Sequence, residues 1–147
     1  MPRGRQGGFT LLELMVVLVI GAIAYALILG VPLRGASSAD LKSAARTLAS
    51  GLRQAQMTAM ATRRDALLTL DVEERAYQVQ GDETRRLPDG IDLKLFTAQA
   101  ETLSERRGAI RFYPDGSSTG GRITVSAGER KFLVDVDWLT GRVTVGD

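Results

Sequence analysis

The chain has 147 residues, 44% hydrophobic and 24% charged, which suits one modest domain with an appendage and excludes wholesale disorder. Cysteine and histidine are absent, so disulfides, zinc sites built on thiolate or imidazole, and histidine-activated nucleophiles are excluded. Arg3 and Arg5 account for the formal charge of +2, and the neutral remainder makes nucleic acid an unexpected partner.

Twenty residues from Leu14 to Leu33 carry no charge. As a helix, such a run spans roughly 30 Å, the thickness of a bilayer's hydrocarbon core. Arg3 and Arg5 favour a cytoplasmic N-terminus, although Arg34 weakens the asymmetry. The rest of the chain is then expected outside the cytoplasm. A cleaved secretory signal is one rival reading, with Ser37-Ser38-Ala39 as its cleavage site, and a plain uncleaved anchor is another. Glu13 is a lone carboxylate at the lip of the run. Burying it costs roughly 2.5–3.5 kcal/mol at mid-membrane and less near the interface, which points to a functional role.

The hexapeptide Gly8-Phe9-Thr10-Leu11-Leu12-Glu13, followed by the apolar run, resembles the prepilin signal of type IV pilins and type II secretion pseudopilins. The resemblance implies that a membrane prepilin peptidase cuts between Gly8 and Phe9 and then methylates the Phe9 amine. It also implies that the apolar helix stays on the mature chain. The new amine would lie four residues before Glu13, one helical turn away. Within one chain the two groups neutralise each other. Inside a filament, where water is excluded, pairing Glu13 with a neighbour's Phe9 amine selects the axial register.

After the small polar segment 35–38, helical periodicity resumes from Asp40 to Thr62. Leu41, Ala45, Leu48, Leu52, Ala55 and Ala59 form a stripe at alternating steps of four and three. The pattern predicts one helix from about Thr10 to Thr62, interrupted locally at Pro32. Its first half is membrane-embedded and its second half amphipathic. An alanine-rich stripe favours packing on the chain's own sheet over a coiled-coil seam.

From Asp65 the period changes to two. Leu68 and Leu70 lead through the polar turn Asp71-Val-Glu-Glu-Arg to a return strand at Tyr77 and Val79. Arg85-Arg86-Leu-Pro-Asp-Gly reads as a loop, and Ile91, Leu93 and Leu95 as a half-buried strand. Thr97 to Arg107 reads as a polar loop. Strands follow at 109–113, 122–126, 131–137 and 142–145, separated by glycine turns. The expected fold is α+β, a long N-terminal helix followed by an antiparallel, sandwich-like β domain. About eighty β residues make a small core, so the amphipathic helix half is needed to complete it.

Two C-terminal blocks narrow the reading: Phe112-Tyr-Pro-Asp115-Gly116-Ser117-Ser118-Thr119-Gly120-Gly121, and Val136-Asp-Trp138-Leu-Thr-Gly-Arg-Val143. In this order they resemble the H-type minor pseudopilins of type II secretion, and fimbrial-type minor pilins share that domain family. The resemblance implies a leader at 1–8, a transmembrane and filament-core helix at 9–33, its amphipathic continuation at 34–64 and a periplasmic β domain at 65–147. It implies a single-pass inner-membrane protein that joins the pseudopilus near its tip and supports protein export. The implied partners are other minor and major pseudopilins, the prepilin peptidase and methyltransferase, the inner-membrane assembly platform and membrane lipid. The alternative is a minor pilin of a type IV pilus, including one that binds DNA for uptake.

No catalytic, cofactor or metal role is expected. Gly116 to Gly121 lacks the lysine of a phosphate loop and leads into a strand, so Asp115 to Gly121 and Trp138 read as structural loops and candidate subunit contacts. Trp138, the only tryptophan, is expected to cover the edge of the core. Asp135 and Asp137 share a strand face but are too few for calcium. Asp71, Glu73 and Glu74 keep a hairpin turn in water. The dyads Arg63-Arg64, Arg85-Arg86 and Arg106-Arg107 read as scattered solubilising charge, or as a basic patch if folding gathers them.

Overall fold

The structure is a computed structural model that describes residues 10–29, 36–97 and 106–147. The chain divides into two units, residues 1–33 and 34–147, and each is taken by itself.

The described part of the first unit is helix α1, Leu11–Leu29. Thr10 starts it: its hydroxyl accepts from the Glu13 amide at 3.2 Å, and its carbonyl from the Leu14 amide at 3.1 Å. The hydroxyl satisfies one of the donors that every helix leaves open at its start. Glu13 lies in the first turn, where a carboxylate also suits the positive end of the helix. The large apolar side chains from Leu11 to Tyr25 are 47–77% exposed. Among the described residues, no helix is long and apolar enough to cross a membrane. The charge-free run continues in sequence to Leu33, beyond the described residues of the first unit.

The second unit opens with α2, Ser38–Thr62. Its start differs from the expected single helix. Ser37 is extended, with φ −68° and ψ 163°, and forms a reciprocal cap with Asp40. The Ser37 hydroxyl accepts from the Asp40 amide at 3.1 Å, and the Asp40 carboxylate accepts from the Ser37 amide at 2.9 Å. Such a cap terminates a helix on its N-terminal side, so α2 begins afresh. Pro32 lies outside the described residues.

Eight strands follow: β1 Ala66–Asp71, β2 Ala76–Val79, β3 Arg85–Arg86, β4 Asp92–Thr97, β5 Arg107–Phe112, β6 Gly121–Ala127, β7 Arg130–Val136 and β8 Val143–Gly146. They form two antiparallel sheets, ordered β3-β2-β1-β5 and β4-β6-β7-β8. The expected two-sheet architecture is present. Arg85-Arg86 is a correction, because it pairs with Tyr77 and Ala76 as a short edge strand. Buried Leu87 extends that pairing by donating its amide to the Arg75 carbonyl at 2.8 Å.

Helix α2 packs against β1, β2 and β5 of one sheet and β6, β7 and β8 of the other. Every residue of the stripe, from Leu41 to Ala59, is fully buried. Opposite it lie Leu68, Leu70, Ile110, Phe112, Ile123, Val125 and Val134, also fully or almost fully buried. The stripe therefore belongs to the chain's own core. Its alanines and Gly51 let both sheets approach closely: a Cβ on Gly51 would stand 3.0 Å from the Tyr77 ring.

Candidate assembly surfaces

The two C-terminal blocks, separated by fourteen residues in sequence, come together at the C-terminal half of α2. The 113–118 loop is closed by its own backbone: the Gly116 amide donates to the Tyr113 carbonyl, and the Tyr113 amide to the Ser117 carbonyl, both at 2.9 Å. The 137–141 turn is held by Asp137, whose carboxylate accepts from the Thr140 amide and hydroxyl, both at 2.8 Å. Buried Ser118 ties the two, donating its amide to the Trp138 carbonyl at 2.8 Å and its hydroxyl to the Asp137 carbonyl at 3.1 Å. Gln56 of α2 completes the junction by donating to the carbonyls of Gly116 (2.8 Å) and Thr140 (3.1 Å). Gly141, with φ +61°, is the tightest point. A Cβ there would lie 2.2 Å from the Gly116 carbonyl oxygen and 2.4 Å from the Gln56 amide nitrogen. Only glycine fits.

This geometry divides the candidate contact residues. Gly116, Ser118 and Gly120 are buried, and Ser117, Thr119 and Gly121 are half-buried. Asp115 and Trp138 face solvent. The exposure of Trp138 corrects the expectation that it covers the core. It is 66% exposed and its neighbour Leu139 63%, because the Asp137–Thr140 turn lifts both to its tip. Only the backbone end of Trp138 is packed: a Cβ on Gly120 would meet its Cβ at 3.0 Å. Sequence reasoning missed Gln56. A lone glutamine beside an apolar stripe has no local signature, and its two acceptors lie 60 and 84 residues away.

The loop cannot cradle a phosphate with its backbone. The amides of Ser117, Ser118, Thr119 and Gly120 donate to the Asp115 carboxylate, the Trp138 and Arg111 carbonyls and the Ser118 hydroxyl respectively. Among the described residues no group of three or more acidic side chains is arranged to hold a metal ion. Asp135 pairs with Arg122 across the sheet, and Asp137 is spent on its turn.

The acidic hairpin turn and two arginine dyads converge on one another. Arg107 meets Asp71, Arg106 meets Glu73 at 2.9 Å and Arg86 meets Glu74 at 3.1 Å. The turn therefore does more than stay in water, and those arginines form no open basic patch. Asp71 also accepts from the Glu74 amide at 2.9 Å and the Glu73 amide at 3.2 Å. Those hydrogen bonds, led by the Glu74 amide and then Arg107, hold its carboxyl below the usual range. Hydrogen bonds from Ser37, Ser117 and Thr140 do the same for Asp40, Asp115 and Asp137.

Glu13 is exposed in the first turn of α1, and Gly8 and Phe9 lie outside the described residues.

A family model described as type II transport protein GspH matches residues 44–141, and one for the prokaryotic N-terminal methylation motif matches residues 3–29. The chain belongs to the GspH family of type II transport proteins. Its GspH-type sequence is 32% identical over 144 residues to type II secretion system protein H of Xanthomonas campestris pv. campestris, covering 98% of this chain and 85% of that one. The fold is similar to the minor pseudopilin EpsH from the type 2 secretion system of Vibrio cholerae. The TM-score is 0.57 at 14% identity, over 72% of this chain and 95% of EpsH. It is also similar to the type IV minor pilin FimU of Pseudomonas aeruginosa, at TM-score 0.56 and 13% identity, over 73% and 88% of the two chains. Those two likenesses concern the fold and do not separate secretion from pilus. The matching family is one of type II transport and the relative is a type II secretion protein, so the type IV pilus alternative is the less supported reading.

Proposed function

We propose that this GspH-family chain is stored in the inner membrane by its N-terminal segment and then joins the pseudopilus as a structural, non-enzymatic subunit near the tip. One observation carries the reading. A methylation motif over residues 3–29 and a GspH domain over residues 44–141 occur in the same chain. The prepilin peptidase cuts between Gly8 and Phe9 and the Phe9 amine is methylated. The N-terminus is cytoplasmic, the β domain periplasmic, and the assembly platform passes the subunit into the filament. Helix α1 supports this reading physically, since a helix apolar all round needs lipid or other helices around it. Glu13 then sets axial register by pairing with the Phe9 amine of a neighbouring subunit.

Deleting the chain in its host and assaying secretion, twitching and DNA uptake side by side tests the function. Loss of secretion alone is expected; loss of twitching or uptake with secretion intact overturns it. Intact mass of the membrane-extracted protein tests the processing, with a methylated start at Phe9 expected. A start near Asp40 would mean an ordinary signal peptide. For Glu13→Val, unchanged insertion and cleavage with lost cross-links to partner subunits is expected. Normal cross-links would leave Glu13 as the neutraliser of its own terminus.

A further inference from the structure

Of the large exposed apolar side chains described in the second unit, Phe96 and Val145 lie on strands β4 and β8, and the other four lie on the C-terminal half of α2 or on the 137–141 turn. Met57 and Met60 stand about one turn apart on α2, 63% and 52% exposed, both just C-terminal to Gln56. Met60 adjoins the 113–118 loop, for a Cβ on Gly116 would lie 3.5 Å from its sulfur. The same junction, through Gln56 and Gly141, holds the turn that lifts Trp138 and Leu139 into solvent. Single exposed apolar residues need no explanation, but four gathered around one junction do.

The methionines ride on a helix, and the Trp138–Leu139 turn is fixed by Asp137, Ser118 and Gly141, so little ordering cost remains to be met on binding. Tryptophan is enriched among the residues that dominate interface energies, and methionine adapts to irregular partners. The chemistry around it selects the occupant. Arg63 and Arg64, at the end of α2 beyond Met60, are exposed and make no ion pair among the described residues. Asp115 and Asp137 belong to the loop and the turn of the same junction, both exposed and both held ionised by their own turns. A rim of mixed sign fits a patterned protein surface and disfavours an anionic lipid sheet, which would repel the two carboxylates.

We propose that the Met57–Met60–Trp138–Leu139 face docks the folded domain of another pilin-like subunit, through an apolar centre with carboxylates set opposite Arg63 and Arg64. This inference rests on the pseudopilus reading and names which surface makes the contact. It also moves the contact off the buried part of the Gly116–Gly121 loop and onto the side chains that this loop supports.

The test uses the full-length chain in its native host, with a photoreactive residue placed singly at Met57, at Leu139 or, as a control on the outer face of the other sheet, at Gln78. Adducts are expected from Met57 and Leu139 and not from Gln78. The partner is expected to be a membrane subunit with a prepilin-type N-terminus, and the adduct to map to apolar residues flanked by Asp or Glu. With the probe at Met57, Leu139→Asp is expected to cut adduct yield about tenfold, and Arg64→Glu to cut it severalfold. Neither change is expected to shift the thermal midpoint, since both side chains are exposed. Adducts only to a second copy of this chain or only to lipid would overturn the proposal, as would equal yield from Gln78 or undiminished yield in Leu139→Asp. If secretion still fails on deletion of the chain, such outcomes discard this face and leave the functional reading standing; if deletion leaves secretion intact, the functional reading itself falls.

Discussion

Helices α1 and α2 lie in the same short chain and solve opposite problems. Helix α1 is apolar on every side, and its described large side chains are at least 47% exposed. Helix α2 carries mostly alanine and leucine on one stripe and polar residues elsewhere, and that stripe is fully buried under two sheets. The difference is one of pattern, not of apolar content alone. A narrow stripe can be satisfied by one chain, whereas a helix apolar all round asks for surroundings that are apolar all round. The chain thus combines a helix that stabilises its own domain with one whose described apolar side chains are exposed.

The largest expected effect tests that difference directly. Leu48 is fully buried in α2, so Leu48→Ala is expected to cost about 2–5 kcal/mol of domain stability through lost burial and an unfilled cavity. Leu18, 64% exposed in α1, is expected to give no change in the unfolding of the second unit when replaced by alanine. Chemical denaturation of the full chain in detergent, followed by Trp138 fluorescence, measures both. Equal losses would mean that the two helices share one core.

The next effect concerns the junction at the far end of α2. Gly141→Ala places a methyl group 2.2 Å from the Gly116 carbonyl oxygen, at a φ that alanine disfavours. Strain and displacement together are expected to cost about 2–4 kcal/mol. Gln56→Ala removes the two hydrogen bonds without the clash and is expected to cost about 1–3 kcal/mol. Thermal unfolding ranks the two, and a Gly141→Ala variant as stable as the parent would show that the turn moves freely.

A smaller effect asks whether the helices are distinct in solution. Ser37→Ala removes the cap of α2 and is expected to cost about 1 kcal/mol, with faster amide exchange at Ala39, Asp40 and Leu41. Were residues 10–62 one continuous helix, Ser37 would be an interior position and alanine would stabilise it. The sign of the change decides.

Much of this was legible from local pattern. The stripe from Leu41 to Ala59 is seen in its period, and the alternation at Leu68, Leu70, Ile123 and Val125 places strands whose inward residues are buried. The start of α2 was also written in the sequence, since serine followed three residues later by aspartate is a capping signature. A helical reading on both sides of it, with the apolar run ahead, masks that signature. Long-range facts were not legible. Gln56 reaches two loops that no window around residue 56 contains, and Trp138 is exposed because of a turn whose tip only the fold reveals. The same holds for the arginines of β3 and β5, whose acidic partners lie on a hairpin turn up to 36 residues away.

That hairpin supplies the smallest and most specific prediction. Asp71 accepts from the Glu74 and Glu73 amides and pairs with Arg107, which holds its carboxyl below its unfolded value. The folded state therefore binds fewer protons than the unfolded chain near that value. Its contribution to stability is complete above about pH 4 and is lost as pH falls through the depressed folded value. Asp40, Asp115 and Asp137 are lowered as well, so the whole domain is expected to weaken between about pH 4 and pH 2. Asp71→Asn keeps an acceptor for the turn amides but removes the charge facing Arg107. It is expected to narrow the gap between the thermal midpoints at pH 7 and pH 2 without abolishing it, because three lowered carboxyls remain. Salt at about 1 M is expected to narrow the parent's gap in the same direction, since the ion pairs of this hairpin are exposed to screening. Thermal melts of both proteins at the two pH values measure this. An unchanged gap in Asp71→Asn would place the acid sensitivity in the caps of α2 and the 113–118 and 137–141 turns, and would leave the arginine pairs as surface contacts without a share in stability.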